Sequence, residues 1–378
     1  MKIYKRDLHM ALLCFTFFAL PLPHYLFLAL KYGILCYLFL IYFKMINKLR
    51  GISAAVILYG IIVLVSSLYN HMGINIYVSS LEYTIKILVT YLVVSAYGRE
   101  NIRALSKTLL MVLGFFVLIT DLLLFILPYN FLYAQEAYFV GTKFQLSYLH
   151  GFLLCLYMLY CNAAGKKKNK WLLGGSCVWS VVVTQIVQCT TGTVMCLLIL
   201  VMALLPKKIW RILSDWRAVL LAFLVINILI FGETQILTNS KVQYIVTEIF
   251  HKNPNLTGRL LIYEYLPTIL KDGFILGYGY NNTLIAEYMG TYATNAQNGI
   301  FKIIMDSGLL GLFSYIAILV GSLKRKGHFD PQSIPLFIFL YAMICISSIE
   351  INITGPLFFL TLAFLFLYRS KTDCTVLV

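Results

Sequence analysis

Apolar runs long enough to cross a lipid bilayer recur from one end of this 378-residue chain to the other, and they restrict the fold more than anything else in it. Within hydrocarbon a backbone amide has no water to bond, so a crossing segment must be a helix or part of a closed barrel. Barrel strands alternate apolar and polar residues, whereas these runs are continuous. The expected class is therefore all-α, a polytopic integral membrane protein. Composition agrees, because 61% of residues are hydrophobic and only 12% charged, about half the charged share of a soluble domain.

At ~20 apolar residues per crossing, hydropathy marks about 12 transmembrane helices, some of them short. They fall at 9–20, 25–42, 52–69, 76–97, 109–127, 148–164, 171–187, 193–205, 218–231, 299–323, 334–349 and 357–368. Residues 1–378 then form a single polytopic membrane domain. The net charge of +15 would suggest nucleic acid in a soluble protein. Here 22 of the 30 basic residues lie in alternate loops between spans, the pattern of cytoplasmic lysine and arginine. Both termini are therefore expected in the cytoplasm, in a cytoplasmic-membrane protein with no nucleic-acid partner.

The nine cysteines and six histidines follow neither disulfide nor metal spacing. There is no glycine-rich P-loop, no HExxH and no GxSxG. No metal and no cofactor is expected. Seven ionisable residues fall inside spans: Lys31, Glu82, Lys86, Asp121, Lys302, Asp306 and Glu350. Charge at membrane depth costs at least ~3 kcal/mol on insertion scales, so each is a candidate for function, or for a structural pair such as Glu82 with Lys86.

One loop stands apart. Residues 232–298 form a large outer loop that contains "TGRLLIYEYLPTILKDGFILGYGYNN" from Thr257, and a connection of that length usually has a function. Its segments "VQYIVTEIFH" and "GRLLIYEYLPTILK" carry helical periodicity, so short helices are expected within it. Arg259 opens the second of these, where backbone N–H groups and a guanidinium together can hold an anion; a salt bridge to Glu264 or Asp272 is the plainer alternative. Tyr278 and Tyr280 offer stacking surfaces for sugars, or an interfacial tyrosine belt. Gln297 and Asn298 suit sugar hydroxyls, or cap the next helix.

Read in order, Thr257-Gly258-Arg259, Gly277-x-Gly279, Ala296-Gln297-Asn298 and Gly308-Leu309-Leu310-Gly311 resemble the O-antigen polymerase and ligase family (Wzy-type). The closing "SIEINITGPLFF", with Glu350 and Pro356, resembles that family's last segment. The close match covers about residues 257–359. What the resemblance implies is a metal-independent glycosyltransferase on the outer face of the cytoplasmic membrane, making O-antigen, capsule or exopolysaccharide. The donor would be a glycan on undecaprenyl pyrophosphate. A polymerase moves that glycan onto the next lipid-linked repeat; a ligase moves it onto lipid A core. Implied partners are the lipid-linked oligosaccharide, membrane lipid, and a flippase and chain-length regulator of the same pathway.

Within that reading Arg259 holds the pyrophosphate, with Lys143, Lys241, Lys252 and Lys271 as outer-face helpers. Glu264, Glu287, Asp272 and His251 are the candidate acceptors of the hydroxyl proton. Family ligases carry a histidine where this chain has Gln297, which favours polymerase. "CTTGT" at Cys189–Thr193 stands where many relatives carry a serine–arginine pair. A secondary transporter or lipid-linked glycan flippase is the rival, but it would more naturally show two similar halves.

Overall fold

The computed structural model describes residues 5–18, 22–49, 51–126, 139–229, 244, 259–290, 295–324 and 329–371. Among them all regular secondary structure is helical and no strand occurs. Five helices are long and apolar enough to cross a membrane: His24–Leu49, Gly51–Tyr69, Ile74–Ile126, Lys143–Ala164 and Gly299–Leu323. A sixth is reached if Thr190–Ala203 and Lys207–Leu213, which meet at a 118° bend, make one span. The expected count of 12 is not confirmed: Ile74–Ile126 counts once although it covers two of the expected spans, and Ile334–Ile346, apolar throughout, has 13 residues, too few at 1.5 Å rise to cover ~30 Å alone.

The 53-residue stretch Ile74–Ile126 is not one rod. Its backbone leaves the helix at Asn101 (φ −155°, ψ 93°), whose side-chain oxygen accepts from Ala104 N at 2.9 Å and restarts the helix. Tyr97 and Thr108 hydroxyls then lie 3.2 Å apart, although 11 residues of straight helix would separate them by ~16 Å. Further along, Ile87 lines a cavity with Phe17, and the Phe116 ring meets Phe18 at 5.6 Å. The two arms therefore fold back beside each other. The sequence divides the same stretch at the same polar turn.

Around this hairpin the helices stack on one core. Gly299–Leu323 packs along Gly51–Tyr69, Pro356–Lys371 along the hairpin, and Ile334–Ile346 against Lys143–Ala164 and Thr190–Ala203. The short helices Ile334–Ile346 and Pro356–Lys371 are buried on nearly every side, consistent with apolar residues all round them. Of the two helices expected in the outer loop, "VQYIVTEIFH" lies outside the described residues. The other forms Arg259–Gly273 and buries Ile262, Leu266 and Ile269 on one face.

The joint that positions everything else is a break in Gly299–Leu323. At Gly308 the backbone turns to φ 65°, ψ −167°, so Leu309 N loses its ordinary partner, the carbonyl of Met305. The loop after Arg259–Gly273 fits into the gap. Phe274 O accepts from Leu309 N at 2.9 Å, Ile275 O from Leu310 N at 3.3 Å, and Met305 O is taken by Tyr278 N at 2.7 Å. Glycine is required on both sides of the joint. A Cβ on Gly308 would lie 2.0 Å from Ile275 O, and one on Gly277 (φ 78°) 2.5 Å from Ser307 N.

Backbone in this glycine-only region costs another residue about 1–3 kcal/mol before any overlap. Gly308→Ala is therefore expected to lower the melting temperature in detergent, or to prevent accumulation in the membrane. Gly321→Ala is the control, since its Cβ meets only the end of the Ile52 side chain at 3.0 Å. Equal stability of the two variants would refute the joint.

Candidate functional site

Stitching the loop to the broken helix carries Tyr280, Asn281 and Asn282 onto a buried aspartate and a half-buried lysine. Lys302 and Asp306 stand one turn apart on the first half of Gly299–Leu323, their Nζ and Oδ1 2.7 Å apart. Asp306 Oδ1 also accepts from Asn281 N at 3.2 Å and Asn282 Nδ2 at 3.3 Å. Lys302 donates to Asn281 Oδ1 at 3.3 Å. From the other wall Ser67 Oγ accepts from Tyr280 N at 3.0 Å, and Asn70 Nδ2 donates to Gly277 O at 3.1 Å. Tyr280 stacks on Tyr83 with centroids 5.3 Å apart. A second charged group faces the same region, with Glu82 between Lys31 and Lys86 at 2.8 Å each.

Three cavities adjoin here, of about 280, 200 and 370 Å³. The first is lined by Gln145, Asn295, Gln297 and Glu350, the second by Lys86, Tyr280, Lys302 and Asp306, the third by Asn281, Asn282 and Thr283. Gln145 and Pro356 belong to both the first and the second; Asn281 and Lys302 to the second and third; Asn295 and Ile351 to the third and first. They are lobes of one cleft, and together they fall within the ~300–1,000 Å³ usual for small-molecule sites. Ammonium groups, carboxylates, amides and a tyrosine face converge there, a lining that can grip an anion at one end and sugar hydroxyls at the other.

Local sequence explains how the amides arrive. Thr142 and Gln145 form a capping box at the start of Lys143–Ala164, Gln145 Oε1 accepting from Thr142 N at 3.1 Å. That bond holds Gln145 at the cleft, and its Nε2 donates to no described residue. Gln297 is held in the left-handed region at φ 49°, with its N–H donating to Asn295 Oδ1 at 3.0 Å.

The residues singled out from sequence separate into groups. Tyr280 and Gln297 line the cleft. Lys143 lies between Thr142 and Phe144, which line the cleft, but does not line it itself; its Nζ is 5.6 Å from the Phe144 ring centroid. Asn298 is fully buried, and its capping role takes all it has: Oδ1 accepts from Ile300 N and Phe301 N, and Nδ2 donates to Asn227 O and Ser348 O. Tyr278 ties down the end of Arg259–Gly273, accepting from Gly273 N at 2.9 Å and donating to Ile269 O. Burial raises the pKa of its phenol. Glu287 is exposed and accepts from Thr283 Oγ1 at 2.9 Å, and Lys271 and Asp272 are exposed too; none lines the cleft. Arg259 is the first residue of its helix, but its side chain, that of Glu264, and Lys241, His251 and Lys252 lie outside the described residues.

Gln145 was not visible as a site residue in the sequence, although its Thr-x-x-Gln capping spacing was there. Lys86, Lys302, Asp306 and Glu350 were signalled by charge at membrane depth, without any sign that they meet.

Residues 169–316 match the family model Wzy_C, described as O-antigen ligase. The match is consistent with a member of the O-antigen polymerase and ligase family. It holds both halves of the glycine joint, Lys302, Asp306 and Gln297. Lys86, Gln145 and Glu350, from outside the Wzy_C segment, complete the cleft around it. No curated protein matches the chain.

Breaking a buried ion pair from one side costs about 3–5 kcal/mol, since the other charge is stranded. Lys302→Met is therefore expected to lower thermal stability sharply. Lys302→Met with Asp306→Asn should recover part of the loss, because neither charge then remains. A double variant no more stable than the single would show that the pair does not hold the turn at Asn281 and Asn282.

Proposed function

We propose that the chain is a polysaccharide polymerase. It transfers a glycan from undecaprenyl pyrophosphate onto the next lipid-linked repeat, at the outer face of the cytoplasmic membrane. The observation that carries this reading is the single cleft in which Gln145, Gln297 and Glu350 meet Lys302 and Tyr280. Family resemblance supplies the substrate class. Gln297, where family ligases carry histidine, favours polymerase, because an amide can bond a hydroxyl but has no accessible basic form near neutral pH.

In the step proposed, the acceptor hydroxyl oxygen attacks the anomeric carbon of the donor glycan. The bond from that carbon to the pyrophosphate oxygen breaks, and the lipid pyrophosphate leaves with the electron pair. Glu350 takes the hydroxyl proton. It is a carboxylate lining the cleft, whereas Glu287 and Asp272 are exposed away from it. Arg259, helped by Lys143, neutralises the charge developing on the leaving group, as a bidentate guanidinium does better than a point charge. The tyrosine face and the amides orient the sugars.

A transporter or flippase reading draws support from one feature, the broken helix, which carriers use to form substrate sites. In this chain the groups freed at Gly308 are bonded to the loop after Arg259–Gly273, not left to line a passage. The polymerase reading is therefore preferred.

Glu350→Gln should leave cells with single unpolymerised repeats at unchanged membrane abundance of the protein, and Glu350→Asp should restore short chains. Arg259→Ala is expected to slow transfer roughly a hundredfold, the effect of removing one transition-state donor, with Arg259→Lys intermediate. These outcomes are read from polymer ladders on gels. Wild-type chain lengths from Glu350→Gln would remove it as the base, and normal ladders from Arg259→Ala would remove the arginine from the donor site.

A further inference from the structure

At the far ends of the same helices lies a second polar cavity that the proposed reaction does not use. Lys143–Ala164 presents Gln145 to the cleft and Asn162 to this cavity, ~25 Å along the helix axis. Ile334–Ile346 likewise gives Met343 to one and Ile338 to the other. The cavity measures about 340 Å³. Lys168 and Lys207 stand exposed at its mouth, and Trp210 is buried in its wall. Among the described residues no aspartate or glutamate lines it.

The electrostatics are those of a site lacking its counter-charge. The Lys168 amine titrates below its usual range, first because its surroundings are desolvated and then because the Lys207 ammonium lies near it. Two like charges line one opening, with no described carboxylate in the lining beside them. Below them the Trp210 side chain is buried in the wall, its indole N–H donating to no described residue. Asn162 Nδ2 is already engaged, with Gln332 O at 3.3 Å. Next to these donors the wall turns apolar, with Met158, Leu205 and Ile338.

We propose that this cavity binds the phosphate headgroup of an anionic phospholipid, with Lys168 and Lys207 on the phosphate and the acyl chains on the apolar wall. A phosphate is the shared chemistry of lipid and free anion, and the apolar wall selects the lipid. Basic pockets between membrane helices hold acidic headgroups by this combination. The site stands at the basic-loop end of the helices, opposite the cleft, so it does not depend on the polymerase reading.

The test uses the purified full chain in a neutral detergent, with binding followed by native mass spectrometry and thermal unfolding. Phosphatidylglycerol should bind and raise the melting temperature, while phosphatidylcholine and inorganic phosphate at equal concentration should not. Lys168→Gln with Lys207→Gln should weaken phosphatidylglycerol binding roughly tenfold or more, at ~1 kcal/mol per charge removed. Lys44→Gln with Lys48→Gln, an equal charge loss in another basic loop, should leave it unchanged. Equal binding by the two double variants, or equal binding of phosphatidylcholine, would overturn the proposal. Stabilisation by inorganic phosphate as large as that by the lipid would overturn the lipid assignment.

Discussion

The arrangement depends on the rule that no backbone amide goes unbonded in an apolar interior. Breaking a buried helix at Gly308 frees Leu309 N, Leu310 N and Met305 O together. The loop at 274–278 supplies one partner for each. Because the exchange is between backbones at contact distance, only glycine fits where the two chains cross. One joint thereby fixes the register of Arg259–Gly273, the position of Asn281 and Asn282, and the direction in which Lys302 and Asp306 point.

Charge follows from that geometry. Lys302 and Asp306 lie within an apolar helix bundle, and their insertion cost is offset only if each finds a partner. They partner each other and the asparagine turn. The Lys31–Glu82–Lys86 group does the same between His24–Leu49 and the hairpin. Opposite these satisfied pairs, the closing segment around Glu350 and the capping box at Gln145 bring hydrogen-bonding groups to the same space. An internally paired wall thus faces a wall of amides and a carboxylate, an arrangement suited to holding a polar substrate without rearranging the charges.

Much of this could be read in the sequence, within limits that have physical causes. Helical class follows from continuous apolar runs, and the hairpin from the polar turn that divides one of them. The order of the glycine motifs was readable as well. That Gly277 and Gly308 are two sides of one contact was not, since 30 residues and a helix separate them. Tyr278 and Tyr280 look equivalent on paper, yet the left-handed Gly279 between them (φ 97°) sends one to the helix end and the other to the cleft. Asn298 looked like a sugar contact or a cap, and its four hydrogen bonds are those of a cap. The span count is not confirmed: a hydropathy window sees an apolar stretch, whereas crossing a bilayer needs length, and a buried helix such as Ile334–Ile346 can be apolar and short.

The turn at Asn101 also bears on how such a chain enters a membrane. A 53-residue apolar helix emerging as one piece would have no stable place in a bilayer. Folded at its middle, it becomes two arms of similar length whose backbones are already bonded within themselves. Arg99, Glu100 and Arg103 all fall at the fold. The pair can therefore be integrated during synthesis as a unit, while these charges stay at the surface from which the arms were inserted.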